Sequence, residues 1–218
     1  YDVAAWVFTT PPFWAIILVF AAVAWLVKGW KLAVGTVIGF GLVLAVDQWD
    51  NAMLTLALTV VAVLIATAIA VPLGIWAARS QTVSSVVRPI LDFLQTMPAF
   101  VYLLPAIFLF SVGVVPGIVA TILFAVAPGV RLTELGIRGV DAEVVEAGQA
   151  FGATPGRILR QIQLPLALPS IMAGINQIIM LSLSMSVIAS MVGAPGLGRP
   201  VVQALPSVNT PLGFEAGL

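Results

Sequence analysis

Five stretches of this chain run without a single ionised side chain: Val3–Val27, Leu32–Val46, Asn51–Ala78, Phe93–Val130 and Gln161–Gly198. A helix needs roughly 20 predominantly apolar residues to cross a bilayer, so several of these stretches have no soluble counterpart. Only 8% of the residues are charged, against about a quarter in an ordinary soluble domain. Net charge is zero and basic runs are absent, which excludes nucleic-acid binding. Cys and His are both absent, removing disulfide scaffolds, zinc and haem ligation, and His-based nucleophilic catalysis. The fold class implied is all-α, a polytopic transmembrane helix bundle.

The first stretch contains Pro11-Pro12, so its helix is expected to begin near Phe13. The fourth is about twice the length of one span, and Gly113, Pro116 and Gly117 supply turn chemistry at Ser111–Gly117. Six spans follow, at 13–27, 32–46, 52–78, 93–112, 115–130 and 166–192. The second is short, and Lys28, Lys31, Trp25, Trp30 and Trp49 extend it by snorkelling and interfacial anchoring; a re-entrant or tilted pair is the other reading of this region. Six spans place Lys28, Lys31, Arg79, Arg88, Arg131, Arg138, Arg157 and Arg160 on one side, leaving Arg199 with Asp2, Asp47 and Asp50 on the other. By the positive-inside rule the N-terminus is outside and the segment 131–164 is cytoplasmic. The first span lacks the basic leader of a signal peptide. Pro211 to Leu218 reads as the approach to a further helix in a longer protein.

The segment 131–164 is the one sizeable loop, and eight of its residues are charged: Arg131, Glu134, Arg138, Asp141, Glu143, Glu146, Arg157 and Arg160. Asp141 is placed to cap a short helix, Ala142–Ala150, with Gly152 as its stop. Thr154 then caps a second helix with Pro155 at its first position. Leu164-Pro165 is expected to end that helix and open the last span.

Within this loop Glu146-Ala147-Gly148, three residues, Gly152, nine residues, Ile162, one residue, Leu164-Pro165 resembles the EAA loop of ABC-transporter permeases. It departs only in having Gly148 for the second alanine. Gln95–Tyr102, Val130–Arg138, Gln163–Pro169, Ile171–Gln177 and Leu183–Met191 further resemble the permeases of glycine betaine/proline betaine (quaternary amine) importers. That resemblance covers about Asp47 to Leu197 and leaves residues 1–50 less diagnostic; residues 51–218 form the core permease domain.

The resemblance implies a type I importer permease in the cytoplasmic membrane of a prokaryote. It implies a second permease copy forming a homodimer, two cytosolic ATPase subunits carrying ATP and Mg, and an extracytoplasmic binding protein, separate or fused. Glu146, Ala147 and Gly152 are the expected docking residues, with Gly148, Ile162, Leu164 and Pro165 completing the motif; Arg157 and Arg160 either add charge to the docking face or anchor the chain at the membrane. No G-x-x-x-x-G-K-[ST] is present, so the chain carries no cofactor site and is no enzyme by itself.

The spans hold no Asp, Glu, Lys or Arg, which removes the group that a proton-coupled transporter needs. A sodium-coupled carrier stays open on this evidence, whereas an intramembrane enzyme has no acid–base group to use. A charge-free path suits a zwitterion. Other small solutes (choline, carnitine, proline, methionine) are the alternative within ABC importers. Candidate pathway residues are Asn176, Gln177 and Ser184 on one stripe of the last span. Ser182, Ser186 and Ser190 form another, and either stripe can line a route or pack against a neighbour. Phe100 and Tyr102 are candidates for cation–π contact with a trimethylammonium group, or for plain packing. Gly193–Gly198 reads as a turn closing the outer end of the pathway.

Overall fold

The computed structural model describes residues 1–217, and among these every regular element is helical. The chain divides into two compact units, Tyr1–Val61 with Pro105–Ile118 and the segment from Leu183, and Ala62–Leu104 with Val119–Ser182. Three helices are long and apolar enough to span a membrane: Trp49–Arg79, Val114–Arg138 and Pro155–Ser190.

In the first unit, α1 (Asp2–Thr9) and α2 (Phe13–Lys28) are bent by 97° where Pro11-Pro12 interrupts the helix. α2 starts at Phe13, as the proline pair predicts. Gly29, at φ +86°, turns the chain into α3 (Trp30–Ala45), which packs back on α2. At 16 residues each, α2 and α3 reach only about 24 Å, short of a ~30 Å hydrocarbon core. Phe8, Phe20, Phe40, Trp49 and Phe13 form a run of ring contacts that ties these helices to the start of α4 (Trp49–Arg79). The Gly193–Gly198 loop is held in the same unit. Its Leu197 N–H donates to Thr55 Oγ1 at 2.8 Å, and Gly113 N–H donates to Val192 O at 2.9 Å.

The second unit is assembled on small residues. Ala62, Ala66, Ala70 and Gly74 repeat every fourth residue along α4, and all are buried. Helices in lipid gain little from excluding water, so close backbone approach and dispersion hold them together. α7 (Val114–Arg138) answers with Thr121, Ala125, Gly129 and Thr133 at the same spacing. A Cβ on Gly74 would stand 2.6 Å from Thr133 Cβ, and one on Gly129 2.8 Å from Ala70 Cβ. α10 (Leu164–Ser190) closes the group, with Ile178 fully buried among the alanines and Gly136 meeting Ser170.

Three expectations are corrected. The span at 93–112 is not one helix: α5 (Gln81–Thr96) and α6 (Phe100–Phe110) are bent by 100° across Met97–Ala99. Pro98 drives Met97 into an extended conformation (ψ 137°), which a helix cannot continue through. The turn at Ser111–Gly117 is shorter than expected. Ser111 and Gly113 make it with positive φ, and Pro116 sits in the first turn of α7, where its missing N–H costs nothing. Lastly, the helix of α7 runs past 130 to Arg138, so the loop proper begins at Gly139.

Candidate functional site

The loop between α7 and α10 folds as the capping signals predict, with different residues carrying the tight points. The Asp141 carboxylate accepts the Glu143 N–H at 3.0 Å and starts α8 (Ala142–Ala150). Gly152, at φ +75°, ends it in a Schellman-like turn, with Gly152 N–H bonded to Gln149 O and Ala153 N–H to Gly148 O. Thr154 holds the N-cap position of α9 (Pro155–Ile158), yet its hydroxyl makes no capping bond, contrary to expectation. The second loop helix does not stop at Leu164-Pro165. It passes through a π-helical stretch, Leu159–Gln163, into α10, giving one helix over Pro155–Ser190. Pro165 lacks an N–H and its ring crowds the carbonyl one turn back; a wider turn beside it accommodates that ring without a stop.

The close approach within the motif is at Gly148. A Cβ there would lie 2.7 Å from Ile162 Cδ1, so the first and last parts of the pattern brace one another. A Cβ on Gly152 would meet nothing within 4 Å; this glycine is required by backbone conformation, not by close packing. Glu146, Ala147 and Pro165 are exposed, and Leu164 is half-buried. Buried Leu159 and half-buried Leu164 pack with Ile137, Ala167 and Ile171, anchoring the loop to α7 and α10. Phe151, at the tip, is 93% exposed.

Behind the loop lies a cluster that composition and motif reading missed. Glu134, 3% exposed in α7, accepts bonds from Ser84 Oγ (2.7 Å) and Arg88 Nη2 (2.9 Å) of α5, and pairs with Arg138 Nε (3.0 Å). Arg138 also donates to Gln81 Oε1 and to Ala77 O at the end of α4. Arg131 and Asp92 form a second α7–α5 ion pair. The available signal was paired spacing: Ser84 and Arg88 at i, i+4 on an amphipathic α5, and Glu134 and Arg138 at i, i+4 on α7.

The pathway candidates separate. Asn176, Gln177 and Ser184 lie exposed on α10. On the other stripe Ser182 is fully buried, while Ser186 and Ser190 donate to the carbonyls of Leu183 and Val187 of their own helix. Phe100 is exposed, but Tyr102 is buried, its hydroxyl donating to Leu94 O and its ring against Phe124. The two aromatic side chains therefore do not form one cage.

A family model described as "Binding-protein-dependent transport system inner membrane component" matches residues 70–218. The chain is 53% identical over 92% of its length to the glycine betaine transport system permease protein OpuAB of Bacillus subtilis, covering 71% of that protein. It is 49% identical over its whole length to the glycine betaine/carnitine transport permease protein GbuB of Listeria monocytogenes, covering 78%. It is also 48% identical to the glycine betaine/proline betaine transport system permease protein ProW of Escherichia coli, over 93% of this chain but only 57% of that longer protein. Among solved structures, a chain of the MetNI methionine ABC transporter in an inward-facing conformation superposes with a TM-score of 0.67 at 24% identity, covering 77% of this chain and 87% of that one. With an all-helical, multi-pass architecture and these relatives, the chain belongs to the family of inner-membrane permease components of binding-protein-dependent transport systems.

Proposed function

We propose that this chain is the permease subunit of an ATP-driven importer that moves glycine betaine or a related quaternary ammonium solute across the cytoplasmic membrane. The observation that carries the reading is the braced loop of 139–163, which presents Glu146 and Ala147 outward and continues directly into a spanning helix. A loop stiffened by the Gly148–Ile162 approach and by a Gly152 turn suits a part that transmits displacement. The names of three relatives at 48–53% identity support the solute class.

On this reading two cytosolic ATPase subunits, which hold ATP and Mg, dock on Glu146, Ala147 and Gly152 of two permease copies. A binding protein delivers solute from the opposite side, where the N-terminus lies. Asn176, Gln177 and Ser184 are the pathway residues, since all three lie exposed on one stripe of α10. A net-neutral zwitterion carries its own compensating charge and asks for no ionised partner in the spans.

The test is uptake of labelled glycine betaine into proteoliposomes holding this subunit, its co-purified ATPase and the binding protein. Uptake that requires ATP and is competed by other quaternary amines is the expected result. ATP hydrolysis stimulated by the binding protein without betaine uptake would keep the permease and replace the solute. Uptake with no ATPase would overturn the class.

A further inference from the structure

Six arginines lie in the second unit, and they fall into two sets. Arg88, Arg131 and Arg138 each face a carboxylate. Arg79, Arg157 and Arg160 make no ion pair among the described residues, and these three line one cavity of about 510 Å³. Arg79 closes α4, while Arg157 and Arg160 open the helix Pro155–Ser190, so residues far apart in sequence converge. No lining residue is acidic. Thr154, whose hydroxyl makes no capping bond, and Gly156, among the first-turn N–H groups of that long helix, also line it. Guanidinium forks, a free hydroxyl and a helix start together match the tetrahedral oxygens of a phosphate.

Depth in the membrane decides which phosphate. Trp76, one turn before Arg79 on the same face of α4, is 62% exposed. An exposed indole beside a terminal arginine marks the apolar–aqueous boundary, where tryptophans gather. The cavity therefore stands at headgroup level, not out in the solvent with Phe151.

We infer that Arg79, Arg157 and Arg160 form a binding site for the phosphate of an anionic phospholipid in the leaflet on the loop side. Its cytoplasmic placement rests on the proposed function, but the binding chemistry does not, so the test reads lipid and neither uptake nor hydrolysis. Each cation at such a surface contributes on the order of fivefold to anionic-lipid affinity.

The full chain, purified with its ATPase, is reconstituted into nanodiscs of mixed phosphatidylglycerol and phosphatidylcholine. Lipid retained on release is then weighed by native mass spectrometry. Wild type should retain phosphatidylglycerol in preference. Arg79→Gln/Arg157→Gln/Arg160→Gln should lose that preference by at least about tenfold, and the triple Lys variant should recover part of it. Lys28→Gln/Lys31→Gln, on cations outside the cavity, should keep it. Equal loss in the lysine pair would reduce the effect to diffuse surface charge and overturn the site. Unchanged retention in the triple Gln variant overturns it as well. If that variant keeps its lipid but sheds the ATPase, the arginines belong to a protein interface. Displacement of phosphatidylglycerol by millimolar inorganic phosphate would overturn the lipid as the source, leaving a soluble phosphate instead.

Discussion

Gly148 and Gly152 stand four residues apart in one loop and answer to different constraints. At Gly148 the helix is ordinary and the neighbour is the mobile end of Ile162, so Gly148→Ala requires only a small side-chain shift. It also gains up to about 1 kcal/mol of helix propensity. At Gly152 there is room for a side chain but the backbone is left-handed, and Gly152→Ala is expected to cost about 1 kcal/mol. Denaturation of the purified complex should show Gly148→Ala neutral or stabilised and Gly152→Ala destabilised; the reverse order would contradict the geometry. Both glycines were legible in the sequence as motif positions. Gly152 was legible also as a helix stop, which its left-handed backbone bears out; the reason for Gly148 was not, because a spacing pattern records where a residue is required and not what packs against it. Glu134 was harder still: it stood among eight charged residues, and only the fold shows it buried between α5 and α7. Glu134→Gln should lower stability by about 2 kcal/mol, the modest end for charge-assisted bonds because Arg88 is half exposed and can rehydrate. A melting temperature equal to wild type would show the cluster to be dispensable.

Among the helices, apolar length and proline position carried most of the information. Pro11-Pro12 gave the start of α2 to the residue, and the positions of α3 and α4 follow from charge-free length, whereas α7 runs past its charge-free stretch to Arg138. What length does not reveal is direction. Residues 93–110 carry no ionised side chain, yet the extended Met97 before Pro98 turns the chain by 100°, and the first four residues of the expected span become the end of the amphipathic α5. Nor does composition say which small residues are contacts. The four-residue ladder of α4 becomes meaningful only beside its partner on α7. Gly74→Leu is a sharp test, since its Cβ alone would come within 2.8 Å of the Val130 carbonyl oxygen, a backbone atom that cannot swing aside. Overpacking of this kind costs about 1–3 kcal/mol or more. A thermal-shift assay in detergent should register it, whereas Gly39→Leu, with nothing within 4 Å, should pass unnoticed.

For the molecule as a whole, the two units divide their tasks. One holds the aromatic run and the Thr55–Leu197 tie, and the other holds the small-residue ladder, the ion cluster and the loop. At this scale Glu146→Lys is the informative change: an exposed loop position should leave folding intact while uptake in proteoliposomes falls to background. Normal uptake in that variant would remove Glu146 from the docking face. In the three long helices, the ionised groups are confined to the terminal turns, with Asp50 and Arg79 at the two ends of α4 and Arg131, Glu134 and Arg138 in the last two turns of α7. Moving one elementary charge through 100 mV exchanges about 2.3 kcal/mol with the electric field. Helices with no ionised side chain in their apolar middle give that field no gating charge to pull, and a zwitterion adds none. Uptake rates should accordingly stay level when a potassium–valinomycin gradient polarises the vesicles in either direction, making this an electrically silent machine.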